Sequence, residues 1–193
     1  MKNSLPTLVA LFFTLIAAAL PSFSHAADPA APAAPVLRDG AHDFDFNFGV
    51  WKSHITRLVH PLTDSQESIE LNGTVAVSKV WDGKAWLEEM EADGPKGHWE
   101  GMSLFLYNPQ SREWSQTFVN SSLGVFVGTM TGSFHDGRGE MYSQDSVNGR
   151  AILVRGTWSN IVADSHRYQE AYSTDGGKTW QTVFTADLTR QKA

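Results

Sequence analysis

The sequence predicts an all-β domain built as an antiparallel up-and-down β-barrel of about ten strands. Three observations carry that expectation. Turn signals recur from Gly40 onward, the stretches between them are rich in Val, Thr, Trp, Tyr and Phe, and none of them sustains a helical period of hydrophobic residues over three turns. A meander of that length usually removes its edges by closing on itself, because an edge strand leaves backbone N–H and C=O groups unpaired. A two-sheet sandwich is the competing architecture.

The chain opens with a short positive segment, Met1 to Asn3, an apolar run from Leu5 to Leu20, and Ser24-His25-Ala26, with small residues where a signal peptidase reads them. Residues 1–26 are therefore expected to be a removed leader, and the product periplasmic or secreted. Residues 27–39 alternate largely Ala and Pro, a composition that cannot pack and reads as an extended linker. The barrel domain is expected over 40–193. The chain has no cysteine, so no disulfide supports an exported fold and the core alone must hold it. The formal charge of −6 becomes −7 once Lys2 leaves with the leader, and no basic run or basic aromatic stripe occurs. That balance speaks against nucleic acid as the partner and against membrane insertion after cleavage.

The breaks are Thr63-Asp64-Ser65, Asp82-Gly83, Asp93-Gly94-Pro95, Asn108-Pro109, Ser121 to Gly124, Asp136-Gly137, Asn148-Gly149, Asn160 to Asp164, and Asp175-Gly176: nine breaks between ten segments. Leu104 to Tyr107, Val125 to Phe134 and Ile152 to Trp158 read as strands, and helix is expected only as a turn or so around His42 to Phe48. The last hairpin is the clearest, with Asp175-Gly176-Gly177 between alternating runs. Asp175 can accept backbone N–H bonds, and the glycines can take the positive φ of a tight turn. Alternation places Trp180, Thr182, Phe184 and Ala186 on one face. Along the fourth segment Trp99, Phe105 and Tyr107 oppose Met102, Leu104 and Leu106. Both faces are apolar there, so the outer one is expected to be covered, with Phe44 to Phe48 as the candidate cover.

Taken together, His42-Asp43-Phe44-Asp45-Phe46-Asn47-Phe48-Gly49-Val50-Trp51-Lys52, Phe134-His135-Asp136-Gly137-Arg138-Gly139, Val154-Arg155-Gly156-Thr157-Trp158-Ser159 and the Ser173 to Trp180 hairpin resemble a bacterial exported family of domains of unknown function. The resemblance implies a calycin barrel, lipocalin-like or fatty-acid-binding-protein-like, from about residue 42 to 190, and no assigned activity. Phe46, Gly49 and Trp51 are also similar to the opening of lipocalins and nitrobindins. That likeness implies that Trp51 closes one barrel end, that Gly49 lets the backbone turn in, and that Arg155 or Arg190 lies on the indole face.

Sharper motifs fail on context. Ser173-x-Asp175-x-Gly177-x-x-Trp180 is similar to the Asp-box of sialidase-type propellers, but one copy cannot build a propeller. Gly177-Lys178-Thr179 copies the tail of a phosphate loop, yet Tyr172 stands where the first glycine belongs. No G-x-S-x-G occurs, and Ser103 sits mid-strand. His42, Asp43 and Asp45 are near in sequence without metal-ligand spacing, and the expectation is no metal site. Haem would need an inward histidine, for which His54, His98 and His166 are placed, although Phe184 to Arg190 contains none, unlike nitrobindins.

What remains is an interior. Alternation aims Trp99, Trp114, Gln116, Phe118, Tyr168, Glu170, Tyr172 and Arg155 inward, with Glu170 and Arg155 expected to offset each other's burial. For Arg155 a solvated outer position is the competing reading. The expected function is a binding protein for a small, mostly apolar ligand held inside, with a cavity of roughly 300–1,000 Å³. An envelope interaction module with a filled core, a haem-binding barrel, and a small barrel enzyme using Glu170 or His166 as base are the alternatives.

Overall fold

The computed structural model describes residues 38–192; the expected leader and most of the linker lie outside the described residues. Ten strands follow one another: β1 (Gly49–Leu58), β2 (Ser68–Val80), β3 (Ala85–Gly94), β4 (Gly97–Asn108), β5 (Glu113–Asn120), β6 (Met130–His135), β7 (Arg138–Val147), β8 (Arg150–Val162), β9 (Ser165–Ser173) and β10 (Gln181–Arg190). Each pairs antiparallel with the next, and β10 returns to β1, so the sheet closes as an all-β, calycin-like barrel. Among the described residues helix is confined to two short 3₁₀ turns, Asp45–Asn47 and Trp81–Gly83. Each of the nine expected breaks marks a junction between consecutive strands, with Asp93-Gly94, Asn108 and Asn160 to Val162 still belonging to the strand that ends there. Asn148 and Gly149 both take positive φ, at 52° and 77°, as the two-residue turn between β7 and β8 requires.

Alternation along each strand divides the side chains between lumen and solvent. Residues directly opposite in a ladder share a face, and the inward positions align across the strands: Trp51 with Val75, Val75 with Met90, Ser103 with Phe118, Gln116 with Met130, and Gly156 with Glu170.

The lumen is closed at one end, called here the lid end. The segment before β1 enters it, and Phe44, 1% exposed, puts its ring centroid 4.7–5.6 Å from those of Phe134, Trp86, Trp158, Trp114 and Phe105. Trp86 and Phe105 stack behind it at 3.7 Å and 4°. Lid polar groups are paired: Trp114 Nε1 donates to the Gly40 carbonyl at 2.8 Å, and Tyr107 receives the Gly40 N–H at 3.0 Å while its hydroxyl donates to Asp39 at 2.9 Å. Arg190, at the end of β10, fastens the lid by donating to the carbonyls of Phe48 (2.7 Å) and Phe46 (2.9 Å).

Three expectations need correction. The Phe44 to Phe48 stretch does not cover the outer face of β4: its rings are drawn into the barrel end, where complete burial is available, and Met102, Leu104 and Leu106 stay 38–39% exposed outside. Val125 to Thr129 is not strand. Gly124 at φ 63° turns the chain out after β5, and the β5–β6 ladder comprises only Trp114 with Gly132, Ser115 with Thr131, and Gln116 with Met130. Finally, Trp180 and Thr182 do not share a face with Phe184 and Ala186. The ladder with β9 shifts register between Thr182 and Phe184, a bulge at Val183 that turns the alternation over.

Candidate functional site

Inward positions of a closed barrel lose contact with water unless the lumen is open or hollow. Past the lid, many keep some. Met90, Trp99, Tyr168, Tyr172 and Phe184 pack against the core yet stay half-buried, and Phe118, Glu88 and Glu170 are half-buried as well. The lumen therefore opens at the end opposite the lid, here the mouth, and solvent reaches between these side chains.

Two polar arrays stand in it. The deeper begins on β3, where Trp86, Glu88 and Met90 alternate inward. Asn47 of the lid donates Nδ2 to Glu88 Oε2 at 3.2 Å, and Ser103 stands directly opposite Glu88 on β4, where its hydroxyl favours the ionised carboxyl. Gln116 Nε2 donates to Ser103 Oγ at 3.0 Å, so the single hydroxyl proton of Ser103 is free to go to Glu88 and the amide orientation is set. Burial pushes the Glu88 carboxyl up to about 7, against the bonds from Asn47 and Ser103, which favour the ionised form. Asn47 Oδ1 and Gln116 Oε1, both buried, have no partner within the protein.

The second array is nearer the mouth, on β9. Tyr168, Glu170 and Tyr172 point inward together, and both phenols flank the Glu170 carboxyl and favour its ionised form. Gly156 makes room: a Cβ there would come within 2.9 Å of the Tyr168 hydroxyl oxygen. Burial raises Glu170 above the usual carboxylate range, with Asp145 adding to the rise and Tyr172, Arg57 and Tyr168 opposing it. Burial raises both phenols as well, so each remains a hydrogen-bond donor at neutral pH. Trp99 and Phe118 lie near parallel at the mouth, centroids 6.1 Å apart. A cleft of about 190 Å³ at the rim joins Leu62, Thr63, Arg150 and Tyr172.

Most sequence-predicted residues meet in this lumen. Trp99, Phe118, Tyr168, Glu170 and Tyr172 line it toward the mouth; Gln116 is deeper, and Trp114 belongs to the lid packing at 2% exposure. Arg155 does not join them. It pairs in register with Tyr142 and Ala171 on the outer face, and its guanidinium sits 4.5 Å over the Trp180 ring. The neighbours Val154 and Gly156 are the inward pair of β8, so a Glu170–Arg155 pairing inside is ruled out by alternation itself. Trp51 is fully buried at the lid end, donates Nε1 to the Asn47 carbonyl at 2.8 Å, and has Arg190 4.0 Å over its ring. Gly49, at φ 117°, carries the chain into β1, and a Cβ there would meet Arg190 Nη1 at 2.8 Å. Trp51 thus lies at the closed end, beside the aromatic cluster gathered around Phe44.

The histidines separate by face. His54 and His98 bond Asn72 and Asp93 on the exposed side. His166 points inward but is walled by Trp51 (4.5 Å) and Phe46 (5.1 Å), and burial beside Arg190 lowers it to about 4. Sequence reasoning missed Glu88, Asn47 and Phe44. Glu88 was readable, since Trp86, Glu88, Met90 and Ala92 share one parity; Asn47 and Phe44 precede the first strand, where no period applies.

No protein-family model matches the chain, and no curated protein matches it. Among solved structures, an S-type phycobiliprotein lyase from Guillardia theta superposes with a TM-score of 0.53 at 13% identity, over 78% of this chain and 91% of its own. EF1p2_mFAP2b bound to DFHBI and a redesigned β-barrel bound to DFHBI give TM-scores of 0.44 and 0.42, each at 11% identity, over 79% and 75% of this chain and 99% of their own. The lyase likeness shows a shared barrel fold.

Proposed function

We propose that the protein is a binding barrel that holds a small, mostly apolar molecule in its lumen, admitted through the mouth, and that the leader-like N terminus directs this activity to the periplasm or beyond. The observation that carries the reading is the state of the inward side chains. Trp99, Phe118, Tyr172 and Phe184 point to the barrel axis and keep accessible surface, whereas Phe44, Trp51, Trp86, Phe105 and Trp114 at the lid end are at most 2% exposed. Apolar side chains held in contact with water gain about 25 cal/mol per Å² when an apolar ligand covers them. The phenols and carboxyls of β9 and β3 would orient its polar end.

A second reading has its own support. The rim cleft, about 190 Å³, falls short of the roughly 300–1,000 Å³ usual for ligand pockets, as expected for a filled-core module whose surface meets a partner. Native mass spectrometry of the purified chain, before and after organic extraction, separates the two. The binding reading expects an added mass of a small organic molecule that extraction removes, or uptake of added n-octanol by the stripped protein. A chain of bare mass that takes up nothing supports the filled core.

A further inference from the structure

The polar groups of the lumen are unbalanced, and the imbalance has a chemical sense. Glu88 and Glu170 bring two carboxyls inside, while no basic side chain accompanies them at mid-depth among the described residues. Arg57, in the ladder row of Phe184 and Glu170, acts on Glu170 from the mouth and favours its ionised form, Arg150 stands at the rim with Asp64, and Arg190 is engaged with the lid carbonyls. Beside the carboxyls are two buried acceptors without donors, Asn47 Oδ1 on the lid and Gln116 Oε1 on β5; Gln116 is 7% exposed and Asn47 0%. The bonds from Gln116 to Ser103 and from Asn47 to Glu88 use the donor ends of both amides and leave the acceptor ends over. The obligate donors left unpaired among the described residues lie away from the two carboxyls: Trp86 Nε1 in the aromatic packing against Phe44, Arg112 Nη1 in the turn between β4 and β5, and Arg155 Nε on the outer face. A buried acceptor without a donor costs about 1–3 kcal/mol, and a bound molecule that supplies one recovers it.

Resting on the reading of the lumen as the binding site, we infer that the bound molecule's polar end is a hydrogen-bond donor, a primary ammonium group foremost, and that Glu88 and Glu170 make the lumen reject carboxylate-headed molecules of the same size. A carboxylate would meet two acids and two unpaired carbonyl oxygens. An ammonium group has three donors, matching a carboxyl and the leftover amide oxygens. Both carboxyls being raised by burial fits a site in which they wait for a cation, since a bound positive charge would restore the ionised forms.

Three eight-carbon probes, n-octylamine, n-octanol and octanoate, titrated into the whole folded chain near neutral pH with calorimetry as the readout, test this. The amine is expected to bind at least about tenfold more tightly than octanoate, the scale set by one charge-assisted hydrogen bond. In E170Q and in E88Q the amine's advantage over the alcohol should shrink by a similar factor. E170Q, near the mouth, carries the test if E88Q does not fold. Octanoate binding as tightly as the amine, or an amine preference that survives both substitutions, overturns the inference while leaving lumenal binding standing. Failure of all three probes, the alcohol included, overturns the binding reading as well.

Discussion

Phe44 sits among six aromatic rings, from Phe46 beside it to Trp158 across the barrel, and nothing else fills the centre of the lid end. Phe44→Ala should lower the unfolding free energy by about 3–5 kcal/mol in denaturant titrations, the usual cost of emptying a large aromatic site. The buried ionisable groups make opposite claims on stability. Glu88 is raised from 4.5 to about 7, so between those values the folded chain binds the proton the unfolded chain has lost, and its contribution falls as pH rises. His166 is lowered from 6.5 to about 4, so between 4 and 6.5 the unfolded chain binds more protons and its contribution rises with pH. Thermal melts across that range should show E88Q gaining on the parent chain as pH rises through 4.5 to 7, and His166→Asn losing ground to it from 4 to 6.5. Parallel curves would show that neither group is buried as described.

The hairpin between β9 and β10 and the seam between β5 and β6 are the two extremes at the scale of elements. In the hairpin Asp175 accepts from the Lys178 and Thr179 N–H groups at 3.0 Å each and from the Ser173 and Thr179 hydroxyls, which holds its carboxyl well below the usual range. Asp175→Asn should loosen the turn and raise its amide exchange rates without disturbing the lid. Across the β5–β6 seam only three residue pairs are in register, and beyond them the Val127 N–H donates to the Phe118 carbonyl at 3.0 Å and the Thr117 and Thr129 hydroxyls bond at 2.8 Å. Hydrogen exchange should therefore find β6 opening more readily than β8, whose ladders to β7 and β9 run most of its length. The turns were legible in sequence because Gly, Asp and Asn at fixed places have few other uses. The bulge at Val183 and the outward loop over Val125 to Thr129 were not, because β-branched and aromatic residues look strand-like whether or not a partner strand is in reach.

For the molecule as a whole, period-two patterning decided most of the lumen: Trp99, Gln116, Phe118, Tyr168, Glu170 and Tyr172 all face it. It failed for Arg155, because Val154, Gly156 and Trp158 carry the inward parity of β8 and Arg155 the outward one. It could not speak for residues 38–48, which have no period, and these supply the plug and one wall of the deeper polar array. The central claim is that apolar molecules enter the lumen rather than settle on the exposed stripe of Met102, Leu104 and Leu106. Methionine makes that directly measurable, since Met90 faces the lumen and Met102 the solvent. With the methionine methyls labelled and n-octanol titrated in, NMR should show the Met90 resonance moving saturably while Met102 stays still; a shift at Met102 with Met90 unmoved would contradict the account.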